Sequence, residues 1–201
     1  MKLTRLKSES EILEFQNQAA QYIKVRFPIS YLRQGRVFGF YNEAGEMVGG
    51  FSFIRSENLR TLESFPHVRS ELPKKLTELT GLWLSPKVRD RKEVLKFWLQ
   101  LSACAIPELG STLIFAYSAH KQGLKKLYSP FSPKEIYLGP VKALEGMDGE
   151  DTESINIVPA TRLVFFPLIN FQFYAQRALR SSRFARRFNE PVFISLRKTF
   201  R

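Results

Sequence analysis

The 201 residues are 44% hydrophobic and 25% charged, a balance that fits one well-buried core and excludes a disordered chain. A single cysteine, Cys104, rules out an internal disulfide framework and fits a reducing compartment; with only two histidines beside it, no Cys/His zinc cluster can form and no metal is expected. The net charge of +12 is concentrated at one end, where residues 177–201 carry eight basic side chains against Glu190.

No apolar run approaches the ~20 residues that span a bilayer. The stretch from Met1 to Lys7 is basic and lacks an apolar segment, so a cytoplasmic location is expected. Ser8 and Glu11 have capping-box spacing, and Ile12, Phe15, Ala19 and Ile23 follow at helical intervals. That pattern predicts an amphipathic helix over about 9–24, stopped within a turn by Pro28. Residues 36–41 and 47–54 are β-rich runs joined by a short polar link containing Gly45, which predicts a hairpin. Residues 55–75 are polar, hold two prolines and read as a connection.

Residues 76–84 alternate as a strand that halts at Ser85-Pro86. The spacing of Val94, Leu95, Trp98, Leu101 and Ala105 predicts a helix ending before Pro107. Residues 112–117 form an apolar run short enough for a buried strand, and a helical segment over about 120–128 and a strand over 135–139 follow. Residues 145–153 read as an exposed acidic loop, and Thr161–Phe166 as a last strand halted by Pro167. A hairpin followed by strand–helix units predicts an α/β fold, with a mixed central sheet and helices on both faces.

Beyond residue 168 lies a basic extension. On a helical projection of 170–188, Phe171, Tyr174, Ala175, Ala178 and Ala185 share one face, opposite Arg177, Arg180, Arg183 and Arg187. Such a segment suits docking on its own domain, an acidic protein, an anionic membrane surface or nucleic acid.

This order of elements resembles the GNAT superfamily of acyl-CoA N-acyltransferases over roughly residues 8–168. The hairpin at 36–54 corresponds to the family's second and third strands. Leu82-Trp83-Leu84-Ser85-Pro86-Lys87-Val88-Arg89 is similar to the end of its fourth strand, and the run from Tyr117 to Tyr128 to its fifth strand and fourth helix. The resemblance implies acyl-CoA, or another pantetheine thioester, as co-substrate and an amine as acceptor. It implies Glu78 as general base, Tyr128 as general acid, and the backbone of Leu82, Trp83 and Leu84 as the pantetheine edge. Arg89, Arg91 and Lys92 would meet the pyrophosphate.

From the residue pattern alone, Glu78 reads as a solvated outward strand position between polar Thr77 and Thr80, and Tyr128 as an amphipathic core tyrosine. His120 reads as an exposed residue on a first helical turn, His67 as part of a connection, and Cys104 as a buried inert thiol. The chain departs from the family at the pyrophosphate loop, where Arg89-Asp90-Arg91-Lys92-Glu93-Val94 contains no glycine. Side chains there hinder close approach of phosphate to backbone, although Arg89, Arg91 and Lys92 offer charge-assisted hydrogen bonds. The alternative expectation is therefore a non-catalytic binding or scaffold protein on a GNAT-like fold, with the basic extension engaging a partner.

Overall fold

The computed structural model describes residues 1–169 apart from Val68, Gln122, Gly123, Lys126, Leu127 and Asp148. The basic extension from residue 170 onward lies outside the described residues.

Local rules shape the first half. Ser8 caps α1 (Glu9–Ile23): its Oγ accepts from the Glu11 N–H at 3.2 Å, and the Glu11 carboxylate accepts from the Ser8 N–H at 2.9 Å. Pro28 leads into a single turn, α2 (Ile29–Leu32). The hairpin forms as β2 (Gly35–Tyr41) and β3 (Met47–Ile54), turned by Gly45 at φ +79°. A strand absent from the sequence reading, β1 (Lys2–Leu6), pairs with β2 at the sheet edge. Residues 55–75 hold a short helix, α3 (Arg60–Ser64). Then come β4 (Leu76–Leu84), α4 (Arg91–Cys104) and β5 (Thr112–Ser118), close to their expected bounds. In the segment predicted helical at 120–128, the described residues Leu124, Lys125 and Tyr128 are helical.

The C-terminal part of the domain departs from expectation. After β6 (Lys134–Val141) the chain enters β7 (Asp151–Pro159), so Asp151 and Glu153 belong to a strand and not to an exposed acidic loop. β7 pairs with β5 through residues 153–159 and with β6 on its other side, filling the place assigned to residues 161–166. Those residues are helical instead, as α5 (Ala160–Val164) leading into α6 (Phe166–Ile169). Ala160, Leu163 and Phe166 are all buried, and their three-residue spacing places one helical face on the core.

The seven strands form one sheet in the order β1-β2-β3-β4-β5-β7-β6, in which only the β4–β5 pair is parallel. Both sheet faces are covered. Phe40, Phe51 and Leu113 pack with Phe97, Trp98 and Leu101 of α4 on one face. Val37, Ile54 and Ile114 pack with Ile12, Phe15 and Ala19 of α1 on the other.

β4 and β5 pair only at Leu76–Thr112, Thr77–Leu113 and Glu78–Ile114. Both strands continue, to Leu84 and Ser118, without further rungs between them among the described residues. The narrow end is pinned from several sides. The Thr112 N–H donates to the Lys75 carbonyl at 2.9 Å. Buried Glu108 accepts from Thr77 Oγ1 of β4 at 2.8 Å, from Arg36 of β2 at 2.5 Å and from Arg55 at 2.7 Å. The wide end opens where β4 bulges: Ser52 of β3 faces Thr80, while Gly50 faces Trp83, so β4 carries one extra residue. Gly81 sits in that bulge at φ +61°, and a Cβ there would lie 2.8 Å from the Phe15 ring.

Gly81→Ala should therefore cost roughly 2–4 kcal/mol, combining left-handed strain with overpacking against a fully buried phenylalanine. A urea titration should show a lower midpoint with an unchanged slope. A midpoint equal to that of the native protein would contradict this account of the bulge.

Candidate active site

The wedge between β4 and β5 is a cleft of about 410 Å³. Its narrow end is closed by Glu78, on the last shared rung. The polar side chain is buried, 2% exposed, and not solvated as the strand pattern alone suggested. Its Oε2 accepts from the Tyr31 hydroxyl at 2.8 Å and from the Thr61 N–H at 3.0 Å. Thr61 lies in the first turn of α3, where an N–H has no intrahelical partner, and the carboxylate supplies one. Tyr31 is held by α2 and also accepts from the Arg60 N–H at 3.2 Å. Burial pushes the Glu78 carboxyl up, opposed by the bonds from Thr61 and Tyr31. Burial likewise raises the Tyr31 phenol, with the Glu78 charge adding to it, so Tyr31 stays a donor.

The cleft has two chemically different faces. Side chains alternate along β5, and Ile114 and Ala116 point to the α1 side while Phe115 and Tyr117 point to the α4 side. On the α4 side Tyr128 is buried and stacks on Tyr117, with ring centroids 5.4 Å apart, and against Phe115 at 4.9 Å. Burial raises its phenol well above the ordinary value, so it remains protonated. Leu82 and Leu124 line the same side.

On the α1 side the cleft is acidic. Glu153 of β7 stands opposite Ser118 and shares its face with Ile155, one strand away from the open edge of β5. It is half-buried, and burial, then Asp151, then Glu78 push its carboxyl up to about 7. Glu150 and Asp151 lie beside it, and Arg60, Lys24 and Lys121 also reach the lining. The Arg60 guanidinium packs over Phe27 and Tyr31 and donates to the Glu145 carbonyl at 2.7 Å.

The cleft thus unites Glu78, Tyr128 and Leu82 among the expected site residues. Trp83 turns away: it is buried on the α1 side and stacks on Tyr22 at 4.7 Å. Leu84 packs toward α4 and is absent from the cleft lining. Arg89, Arg91 and Lys92 are exposed where the chain enters α4, also outside the lining. The Asp90 carboxylate caps that helix by accepting from the Lys92 N–H at 2.9 Å, so an anionic group already occupies its N-terminus. Glu93, the next acidic residue, pairs with the Met1 amino group at 2.7 Å.

Tyr31, Thr61 and Glu153 escaped the sequence reading. The alternation of Glu153, Ile155 and Ile157 was the available signal for the last of them. His120 is exposed and 3.8 Å from Asp151, and His67 bonds only to the nearby Phe65 carbonyl among the described residues. Cys104 is half-buried and not fully buried as expected, and burial raises its thiol, which fits an inert side chain. No group of three metal-ligating side chains occurs among the described residues. None of their helices is long and apolar enough to cross a membrane.

No family profile and no curated protein matches the chain in sequence. Solved structures do match its shape. FeeM, an N-acyl amino acid synthase from uncultured soil microbes, superposes with a TM-score of 0.56 at 13% identity, covering 81% of this chain and 97% of its own. A spermidine N-acetyltransferase chimera involving Vibrio cholerae SpeG gives 0.53 at 8%, covering 82% and 99%. NAA60 of Arabidopsis thaliana, in complex with acetyl-CoA, gives 0.51 at 12%, covering 78% and 96%. The fold is that of the GNAT acyltransferases. At these identities the likeness concerns the GNAT fold alone, and the chemistry has to be argued from the cleft.

Glu153 makes the cleft sensitive to pH. Its carboxyl titrates near 7 in the folded protein and at 4.5 in an ordinary setting, so the folded state keeps a proton that the unfolded chain has released. This contribution is complete below pH 4.5 and is lost as pH rises through about 7. Glu153→Gln, neutral at every pH, should melt higher than the native protein at pH 8 and gain little at pH 4. Equal melting temperatures at pH 8 would contradict the placement of Glu153.

Proposed function

We propose that this protein transfers an acyl group from acyl-CoA, or another pantetheine thioester, to an amine. The observation that carries the reading is the wedge itself: β4 and β5 stop pairing at Glu78 and Ile114, leaving a slot with backbone edges. A pantetheine arm is a short run of amides, and it can hydrogen-bond along such an edge as an added strand would. The edge supports this reading over Thr80–Leu84, where β4 has no further rung with β5 among the described residues.

In this reading the thioester carbonyl lies at the bulge, where backbone N–H groups stabilise the charge that develops on its oxygen. The amine nitrogen bonds to the carbonyl carbon, the carbon–sulfur bond breaks, and the electron pair leaves on sulfur. Tyr128, kept protonated by burial, gives its proton to the departing thiolate, the nitrogen releases its surplus N–H proton to solvent, and Tyr128 regains one from solvent. The acidic α1 side, with Glu78 at its apex, draws in the ammonium form of the acceptor. Recognition of the pyrophosphate falls to the side chains of Arg89, Arg91 and Lys92, since Asp90 already caps α4.

That capped, glycine-free entrance also favours a second reading: a non-catalytic protein of GNAT fold whose residues 170–201 engage an acidic protein, an anionic membrane or nucleic acid. Deleting 170–201 separates the two, because thiol release should survive the deletion while binding of such partners should vanish.

The direct test is release of free CoA thiol from acetyl-CoA and longer acyl-CoAs in the presence of a panel of primary amines. Tyr128→Phe should lower kcat by about 100-fold or more and leave the KM for acyl-CoA within about threefold. Absence of thiol release with every donor and amine, or full activity of the phenylalanine variant, would count against the proposal.

A further inference from the structure

An alkylamine carries a proton at neutral pH and attacks only after losing it, so a transferase of this kind needs a base in contact with both acceptor and water. The residue on the expected strand, Glu78, is poorly placed for that work. It is sealed at the apex, and its Oε2 is occupied by Tyr31 and Thr61.

Counting along the parallel strands from the Glu78–Ile114 rung brings the bulge at Gly81 and Leu82 level with Tyr117 and Ser118 of β5. Glu153 is the residue paired with Ser118, on the α1 side. Tyr128 stacks on Tyr117 at the same level, on the α4 side. An acid and a carboxylate therefore stand at the level of the bulge on opposite faces of the sheet, both lining the cleft, and Glu78 lies roughly 10 Å deeper along the strand.

Resting on the acyl-transfer reading above, we propose that Glu153 is the catalytic base that takes the proton from an alkylammonium acceptor, while Glu78 closes the apex of the cleft. In the step, an N–H bond of the ammonium breaks, its electron pair stays on nitrogen, and the proton moves to the Glu153 carboxylate. The proton then passes to water at the mouth, which half-buried Glu153 can reach. The charged and titratable groups around Glu153 are Asp151 on its own strand, Glu150 ahead of it, Glu78 from β4, and Tyr117 and Tyr128. Among the described residues Lys24, Arg60 and Lys121 also line the cleft, and His120 stands 3.8 Å from Asp151. The carboxylates raise its proton affinity together with burial, and an arriving ammonium lowers it, which favours ionisation at the moment of binding.

The full chain tests this in two arms. In the first, glutamate carboxyl carbons are isotope-labelled and followed by NMR across pH, with and without n-butylammonium chloride; the Glu153 signal is identified by its loss in Glu153→Gln. It should titrate near neutrality and move to lower pH when the ammonium salt is added. Titration in the ordinary carboxyl range, or indifference to the salt, overturns the proposal whether or not the protein turns over.

In the second arm, kcat/KM for n-butylamine with acetyl-CoA is measured against pH. The native protein should rise to a plateau above about 7. Glu153→Gln should lose that limb and fall roughly 100-fold at neutral pH, and a weakly basic amine such as 2,2,2-trifluoroethylamine, already neutral there, should restore most of the loss. Glu78→Gln should keep the limb. The reverse pattern, with the limb lost in Glu78→Gln and kept in Glu153→Gln, overturns the assignment. Failure of every amine to react would remove the acyl-transfer reading, and the first arm would still judge the ammonium site.

Discussion

The separation of β4 from β5 after three shared rungs is the constraint on which the remaining structure depends. Two neighbouring parallel strands ordinarily satisfy each other's backbone groups along their length. Here one end is fastened by the ladder at 76–78 and by Glu108, which gathers Thr77, Arg36 and Arg55. The other end is forced open by an extra residue in β4. Gly81 accepts the left-handed conformation this requires, and the Phe15 ring fills the space its missing side chain leaves. Helix α1 is thus part of the device: the side chain that anchors it also props the bulge.

The opening gains chemical meaning because the sheet is covered on both sides. Alternation along β5 sends Phe115 and Tyr117 toward α4, where Tyr128 joins them, and leaves the α1 side to Glu78, Asp151 and Glu153. A thioester and an ammonium ion have opposite preferences for such walls. The aromatic side is dry and offers a phenol that stays protonated, and the acidic side attracts cations and is open to water. In the proposed reaction the two partners meet at the bulge, with the proton leaving on one face and returning on the other.

Much of this was legible where local rules dominate. The Ser8–Glu11 capping box, the Gly45 hairpin and the apolar spacing of α4 each carry their structure in a few neighbouring residues. The misreadings arose where distant pairing decides. β1 shows only Leu6 as a buried residue and owes its form to β2. β7 begins with acidic residues that suggest a loop, yet its partner strand orders them. Residues 161–166 are β-rich in composition, but Pro159 ends β7 just before them and the buried spacing is helical. Glu78 looked solvated because Thr77 and Thr80 are polar. No pattern within one strand could reveal that Tyr31 and Thr61 arrive from elsewhere to satisfy it. The glycine-free entrance to α4 was visible at once, and its consequence, a carboxylate cap at that terminus, needed the coordinates.

The central claim is that a thioester arm lies along the unpaired edge of β4. Amide hydrogen exchange with and without acetyl-CoA addresses it directly, since hydrogen bonds to a bound arm slow exchange at the amides that make them. The account predicts slowing concentrated at Thr80–Leu84, with little change in β2 or β6. Unchanged exchange along β4 at saturating acetyl-CoA, or protection confined to the outer strands, would contradict it.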